Sequence, residues 1–283
     1  MKTLQDIKKE VIQKLADHFI EDPAFETKLL IVHSLKISAL DYALENNRIF
    51  NDSEYKELMA LVELRAQRMP MSQIFGEKEF WSLTFKVTKD TLTPRPDSET
   101  LIEAALNKLD DNNKQYRILD LGTGTGCLLL TLLSERPNAT GLGIDISEEA
   151  LVVAKENAAN LNLAARADFH LSNWTDNIEN SEKFDLIISN PPYIGLDERE
   201  TLPPEVVNYE PEMALFSGED GLDDYKKLSQ QLSAYLSSDG FILVEIGYRQ
   251  SSAVKEIFTS AGFNQITKYK DLADRDRCLM IEF

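Results

Sequence analysis

The chain has 283 residues, of which 43% are hydrophobic and 28% are charged. These proportions are typical of a folded globular protein and exclude a disordered or fibrous one. Its 30 basic residues stand against 48 acidic ones, a formal net charge of -18, which would repel a phosphate backbone and argues against nucleic acid as a partner.

Helical periodicity dominates the first part of the chain. Apolar residues from Leu4 to Phe19 recur at steps of three and four and predict an amphipathic helix that ends before Pro23. Apolar clusters over Leu29–Leu35 and from Ser53 to Leu64 predict further helices. We therefore expect an all-helical N-terminal domain over residues 1–75. It begins without the apolar stretch of a secretory signal, and no later run is long enough for a membrane span, so we expect a cytoplasmic protein.

The next segment changes from helical to strand character. Phe80–Thr93 is rich in aromatic and β-branched residues with a break at Lys89–Asp90, which predicts a β-hairpin. We interpret residues 76–96 as a hairpin linker between two domains. Asp97 and Ser98 follow a proline and are predicted to cap the first helix of the second domain.

From residue 97 to residue 283, short apolar runs alternate with helical stretches. Helical patterns include Glu148–Leu161 and Leu222–Leu236. The alternation predicts an α/β domain with a Rossmann-like, doubly wound sheet over residues 97–283. The runs predicted as buried strands are Arg117–Leu121, Leu142–Ile146, Phe184–Ser189, Phe241–Ile246 and, last, Cys278–Phe283.

A glycine-rich turn follows the first of these strands. In RILDLGTGTG the strand leads directly into Gly122, Gly124 and Gly126, and such a turn brings the backbone close to a ligand. A dinucleotide site would have the spacing G-x-G-x-x-G, but here Cys127 stands at the third position, so a different nucleoside cofactor is favoured. Asp145 ends the next strand, where a carboxylate can bind both ribose hydroxyls.

The stretch FDLIISNPPYI carries the most specific pattern in the chain. A buried strand delivers Asn190 to Tyr193 to its carboxyl end, where open α/β sheets bind ligands. An amide nitrogen is a poor nucleophile, so an enzyme that acts on it must hold its N–H groups and aim its lone pair. The Asn190 side-chain oxygen and the Pro191 carbonyl can accept those two hydrogens, Pro191 and Pro192 stiffen the loop, and Tyr193 can stack on the planar acceptor.

These two motifs resemble those of the seven-stranded class I methyltransferases, which bind S-adenosylmethionine. The resemblance implies that cofactor, with Asp145 on its ribose. It also implies that Trp174, which would follow a further strand between Ile146 and Phe184, lies over the adenine. Asn190 would also contact the cofactor. The residues that would surround the methionine part are Asp120, Gly122, Thr123, Gly124, Thr125 and Gly126.

Over its whole length the chain is similar to the release factor glutamine methyltransferases, the HemK/PrmC family. Beyond the two motifs, matching stretches include Phe80–Trp81, Pro94–Asp97 and the tract VVNYEPEMALFSGEDGLDDY. The resemblance implies methylation of the amide nitrogen (N5) of the glutamine in the Gly-Gly-Gln tripeptide of bacterial peptide chain release factors. The N-terminal domain would bind the factor, and we expect a monomer without a metal ion, since Cys127 and Cys278 have no neighbours at metal-ligand spacing.

Three other functions share part of this pattern. A ribosomal-protein glutamine methyltransferase would share both motifs and differ mainly in its N-terminal domain. A nucleic-acid amino-methyltransferase would also use N-P-P-Y, but it needs a basic surface that the net acidity disfavours. A non-catalytic binding protein predicts an eroded glycine turn or loss of Asn190, and both are intact.

Overall fold

The computed structural model describes residues 2–283, and the chain divides into two compact units. The helical unit comprises the chain up to Gly76 together with Pro203–Tyr209. The sheet unit comprises Glu77–Leu202 and Glu210–Phe283, so the hairpin segment groups with the sheet. No helix in the described chain is long and apolar enough to cross a membrane.

Between residues 2 and 76 the helical unit contains five α-helices. The three predicted ones are confirmed, although α1 ends at Asp17 and α4 begins after Asn51, whose side chain accepts the backbone N–H groups of Ser53 and Glu54. Their apolar faces share one core that includes Leu4, Leu30 and Leu58. The helices are α1 (Leu4–Asp17), α2 (Pro23–Leu35), α3 (Ala39–Leu44), α4 (Asp52–Ala66) and α5 (Met71–Phe75).

The predicted hairpin is confirmed, but its turn is not at Lys89–Asp90. Strands β1 (Glu77–Phe80) and β2 (Leu83–Lys86) pair in antiparallel fashion across Trp81 and Ser82. Both turn residues have positive φ, 50° and 61°, the backbone twist of a two-residue hairpin turn. Lys89–Asp90 lies in a separate turn after β2. The error arose because Trp-Ser lacks the glycine or asparagine that usually marks such turns.

Seven strands form the central sheet between residues 117 and 283, in the order β5-β4-β3-β6-β7-β9-β8. The first five run parallel, and β9 is antiparallel to both β7 and β8. The predicted doubly wound α/β domain is confirmed. The strands are β3 (Arg117–Leu121), β4 (Thr140–Asp145), β5 (Ala167–Leu171), β6 (Phe184–Ser189), β7 (Leu236–Glu245), β8 (Gln265–Lys270) and β9 (Asp276–Glu282).

Helices cover both faces of the sheet. Because side chains alternate along a strand, Ile118 packs on one face with helices that lie between residues 99 and 160, whereas Leu119 packs on the other face with helices between residues 223 and 260. The arrangement brings the carboxyl ends of five parallel strands to one edge. The remaining helices are α6 (Glu99–Lys108), α7 (Cys127–Glu135), α8 (Glu148–Asn160), α9 (Pro204–Tyr209, in the helical unit), α10 (Asp223–Gln231) and α11 (Ser251–Ser260).

Two details of the predicted helices are wrong. Asp97 and Ser98 lie in a short 3-10 helix, and α6 begins at Glu99 without a side-chain cap. Asp97 instead pairs with Arg277 at 3.1 Å, and the Ser98 hydroxyl donates to a buried carboxylate described below. The predicted helix up to Leu236 ends early, because α10 gives way to a 3-10 helix after Gln231 and Leu236 already begins β7.

Candidate active site

The glycine-rich turn links β3 to α7 at the carboxyl edge of the sheet. Gly122, Gly124 and Gly126 all have positive φ, at 74°, 55° and 79°, a conformation that glycine adopts without strain. The N–H groups of Gly122 and Thr123 both donate to the Ile144 carbonyl, at 2.9 and 2.8 Å. The turn is therefore held against the end of β4.

Three polar side chains of this motif point into the protein. Asp120 is fully buried and accepts a hydrogen bond from the Thr123 hydroxyl at 2.7 Å. Burial raises the pKa of Asp120 to about 7. The Thr125 side chain is also buried, and the Thr125 backbone carbonyl accepts a hydrogen bond from the Asn157 side-chain amide at 2.9 Å. These two hydrogen bonds fix the shape of the turn.

Asp145 stands at the end of β4 and faces the same turn. One carboxylate oxygen accepts the Gly124 N–H at 2.8 Å and the other accepts the Ser147 N–H at 3.0 Å. Burial raises the pKa of Asp145, although these backbone bonds favour its charged form. Each oxygen keeps a further lone pair, so the carboxylate is able to bind a pair of vicinal hydroxyl groups.

Trp174 follows β5 and is held firmly in place. Its indole N–H donates to Asp224 at 3.2 Å, and the same carboxylate binds Lys227 at 3.1 Å and the Ser217 hydroxyl at 2.7 Å. A methyl group added at Gly122 would lie 3.7 Å from the indole ring. Trp174 and the glycine turn therefore line the same space.

Much of the predicted site opens onto one cleft in the sheet unit, lined by Gly122, Gly124, Asp145, Trp174, Asn190 and Pro192. Five predicted residues are not among the described residues that line this cleft: Thr123, Thr125, Gly126, Pro191 and Tyr193. Two further parts of the wall were not predicted as cofactor-binding: Asp90–Leu92, which carries no motif, and Pro211, Met213 and Ala214, which lie in the family-matching tract VVNYEPEMALFSGEDGLDDY but were given no role in the site. No group of three or more metal-binding side chains occurs within residues 2–283.

Asn190 follows β6 and presents its amide in a defined direction. Its Nδ2 donates to the Ser98 hydroxyl at 3.3 Å. Its Oδ1 is buried and has no hydrogen-bond partner anywhere in residues 2–283. An unpaired buried acceptor is costly to a folded protein, and such an atom at a cleft is suited to a ligand N–H.

Hydrogen bonds to Gln250 and Glu245 hold Tyr193, the last residue of the N-P-P-Y loop. The Tyr193 carbonyl accepts the Gln250 amide at 2.8 Å. The Tyr193 hydroxyl donates to Glu245 at 3.5 Å, and burial raises the pKa of this phenol. Stacking of the Tyr193 ring on an acceptor stays a prediction. Pro191 is buried and Pro192 half-buried.

Glu245, which was not predicted as a site residue, is fully buried at the end of β7. It accepts the Ser98 hydroxyl at 2.5 Å, and burial raises its pKa to about 7. A carboxylate within the apolar run Phe241–Ile246 was the signal that could have identified it, since unpaired buried charges are rare.

Comparison with known proteins agrees with this architecture. A family model described as a methyltransferase domain matches residues 112–270, and one described as the PrmC N-terminal domain matches residues 6–76. The chain also shares its fold with the N-terminal domain of human METTL16, solved in complex with SAH. That structure is 18% identical, with a TM-score of 0.54 over 85% of this chain and 86% of the other.

Two curated relatives match nearly the whole chain. The release factor glutamine methyltransferase of Caulobacter vibrioides is 40% identical over 94% of this chain and 92% of its own. The release factor glutamine methyltransferase of Cereibacter sphaeroides is 41% identical over 96% of this chain and 95% of its own. Because this identity extends over more than nine tenths of both chains, the chain belongs to the release factor glutamine methyltransferase family.

Proposed function

We propose that this protein transfers a methyl group from S-adenosylmethionine to the side-chain amide nitrogen of the glutamine in the Gly-Gly-Gln tripeptide of bacterial peptide chain release factors. The unpartnered Oδ1 of Asn190, beside a cleft formed by the glycine turn and Asp145, carries the proposal. The high identity to relatives named for this reaction supports the choice of substrate.

The cleft fits S-adenosylmethionine at both ends. Gly122 and Gly124 leave room for the methionine part, because neither carries a side chain in the turn. Asp145 offers two carboxylate oxygens to the ribose hydroxyls, and the fixed indole of Trp174 borders the place for the adenine. When bound, the cofactor supplies an electrophilic methyl group on a sulfonium sulfur.

Asn190 orients the acceptor. Its Oδ1 accepts one N–H of the glutamine amide, and the Pro191 carbonyl accepts the other, so that the nitrogen lone pair points along the cleft towards the donor. The pairing also favours amides and amines over hydroxyl acceptors, since only they offer two hydrogens. After transfer the surplus proton on the amide nitrogen passes to water, so no side chain has to act as a general base.

The two units divide the work. We assign release factor binding to the helical N-terminal domain, residues 1–75, and catalysis to residues 97–283, with the hairpin segment 76–96 between them. The family model for the PrmC N-terminal domain, matched over residues 6–76, supports this division. The protein acts as a monomer in the bacterial cytoplasm, where release factors meet the ribosome.

A methyl transfer assay tests the proposal. The purified protein is incubated with labelled S-adenosylmethionine and a release factor, beside a factor whose Gly-Gly-Gln glutamine is changed to alanine, with ribosomal protein and DNA as competing acceptors. We expect label on the intact factor alone. Asn190→Ala should lower the rate about 100-fold or more, because the acceptor loses its alignment.

Asn138→Ala is the matched control. Asn138 is exposed and its amide donates to backbone carbonyls away from the cleft, so this variant should keep the wild-type rate. Label on ribosomal protein or DNA in place of the release factor would overturn the substrate. Equal rates for Asn190→Ala and wild type would overturn the site.

A further inference from the structure

A buried chain of hydrogen bonds runs behind Asn190. The Nδ2 atom of Asn190 donates to the Ser98 hydroxyl at 3.3 Å, and that hydroxyl donates to Oε2 of Glu245 at 2.5 Å. Ser98 is 3% exposed and Glu245 is 1% exposed. The three residues come from distant parts of the sequence, next to α6, after β6 and at the end of β7.

The chemistry of these groups decides which of them donates each hydrogen bond. An ionised carboxylate only accepts hydrogen bonds, so the hydroxyl of Ser98 must donate to Glu245. The hydroxyl oxygen then has only lone pairs left to offer, and the amide of Asn190 must turn its NH₂ group towards it. Oδ1 of Asn190 consequently lies on the other side, where it has no partner within the described chain.

We propose that Ser98 and Glu245 are positioning residues, which fix the Asn190 amide so that its oxygen, and not its NH₂ group, faces the acceptor. The inference rests on the methyltransferase function proposed above. Neither residue touches the acceptor. They act through Asn190, whose two amide orientations have nearly the same shape but opposite hydrogen-bonding character.

The direction of these hydrogen bonds reverses when Glu245 takes up a proton. A protonated carboxyl donates to Ser98, whose hydroxyl then donates to Oδ1 of Asn190, and the NH₂ group turns towards the acceptor and repels its N–H. Burial raises the pKa of Glu245 to about 7, so activity should rise with pH through this value. Arg277 opposes this rise in pKa. The other titratable groups that face Glu245 are Asp97, Tyr193, Tyr225, Cys127 and Cys278.

Kinetics separate positioning from simple loss of structure. Ser98→Ala should lower kcat about 100-fold while the affinity for S-adenosylmethionine stays unchanged, and Ser98→Thr, which keeps the hydroxyl, should recover most of that loss. Glu245→Gln should lower kcat and remove its rise near pH 7, because a glutamine does not titrate there. Ser229→Ala is the matched control, since Ser229 is also buried (4% exposed) but donates to the Lys226 carbonyl within α10.

A second readout does not depend on turnover. The side-chain amide of Asn190 is followed by NMR in protein labelled with ¹⁵N-asparagine, and Asn190→Ala identifies its signal. We expect this signal to titrate with a midpoint of about 7 in the wild type and not in Glu245→Gln.

Each result has a distinct meaning. The kinetic series uses whichever acceptor the wild type methylates, so label on another acceptor overturns the proposed substrate and leaves the positioning test intact. If no acceptor is labelled, the NMR titration alone decides. Wild-type kcat in Ser98→Ala, or an Asn190 amide signal that responds neither to pH nor to Glu245→Gln, would overturn the positioning role.

Discussion

At the scale of single residues, the cleft is built from acceptors that the fold uses only in part. Each carboxylate oxygen of Asp145 accepts one backbone N–H, from Gly124 or from Ser147, and keeps a further lone pair. The NH₂ group of Asn190 donates to the Ser98 hydroxyl, and Oδ1 has no partner within the described residues. The protein therefore holds both side chains in place and leaves acceptor atoms available, the arrangement expected of a site that is organised before it binds a ligand.

Asp145→Asn tests the first of these acceptors. An asparagine would place its NH₂ group against a backbone N–H, either of Gly124 or of Ser147. It would also lose the charge that strengthens the two hydrogen bonds proposed to the ribose hydroxyls. We expect S-adenosylmethionine to bind about 10- to 100-fold more weakly. Isothermal titration calorimetry measures this affinity.

The control for this change is Asp168→Asn, on the neighbouring strand β5, where the side chain is exposed. Its affinity should equal that of the wild type. Because burial raises the pKa of Asp145, wild-type affinity should also fall as the pH is lowered through that pKa. Unchanged affinity in Asp145→Asn would show that the carboxylate does not bind the cofactor.

Local sequence motifs were enough to predict the part of the site that lies at the ends of the parallel strands. The glycine turn, Asp145 and N-P-P-Y each follow an apolar strand, and parallel strands bring their carboxyl ends together. Ser98 and Glu245 could not be placed in the same way. Ser98 has the local pattern of a helix cap, and its hydrogen bond to Glu245 joins residues far apart in the chain, which no local pattern encodes.

At the scale of elements, burial decided which strands the sequence predicted. Strands β3 and β6 are buried along nearly their whole length and were predicted to the residue. Strands β5 and β8 are the two edges of the sheet, and most of their side chains are exposed or half-buried. Their sequences, ADFHL and QITKYK, are therefore too polar to be recognised as core strands.

The hairpin turn supplies a prediction about stability. Ser82 is exposed and has a φ of 61°, which is strained for any residue with a side chain. Ser82→Gly should stabilise the protein by about 0.5 kcal/mol, since relief of this strain exceeds the greater entropy of glycine in the unfolded chain. The midpoint of denaturant unfolding measures the change.

Ser252→Gly serves as the comparison. Ser252 is also exposed but lies in helix α11, where glycine is unfavourable, so this variant should lose about 0.5 kcal/mol. The two substitutions remove the same atoms and are expected to act in opposite directions. Destabilisation by both would contradict the account of the turn.

At the scale of the whole molecule, one segment departs from a simple division of the chain. Helix α9 follows the N-P-P-Y loop in sequence but groups with the helical unit. Its Glu205 binds Arg65 at 3.2 Å and Arg68 at 2.9 Å, and Arg65 also binds Glu26. This association could not be predicted, because residues 203–209 have no local pattern that distinguishes them from a loop of the second domain.

Arg65→Met should show how strongly this cluster holds the helical unit together. The Arg65 side chain is 7% exposed, and its loss leaves Glu26 and Glu205 close together without their shared cation. We expect the unit to lose about 3 kcal/mol, the lower end for breaking a buried ion pair, because both carboxylates keep some contact with solvent. Amide hydrogen exchange in α2 and α4 measures the loss locally.

Arg48→Met is the corresponding control. Arg48 pairs with Glu54 at 2.9 Å in the same unit, but its side chain is 28% exposed, so the cost should stay below about 1 kcal/mol. Equal effects of the two substitutions would show that the Arg65 cluster contributes no more than an ordinary surface pair.

The most direct test of the central claim is to locate the transferred methyl group. Release factor treated with the protein and S-adenosylmethionine is digested, and the peptide that contains Gly-Gly-Gln is analysed by tandem mass spectrometry. We predict one methyl group on the side-chain amide of that glutamine, formed about 100-fold or more slowly when Asn190→Ala replaces the wild type. A methyl group on another residue, or an unmodified glutamine beside methylated ribosomal protein or DNA, would contradict the account.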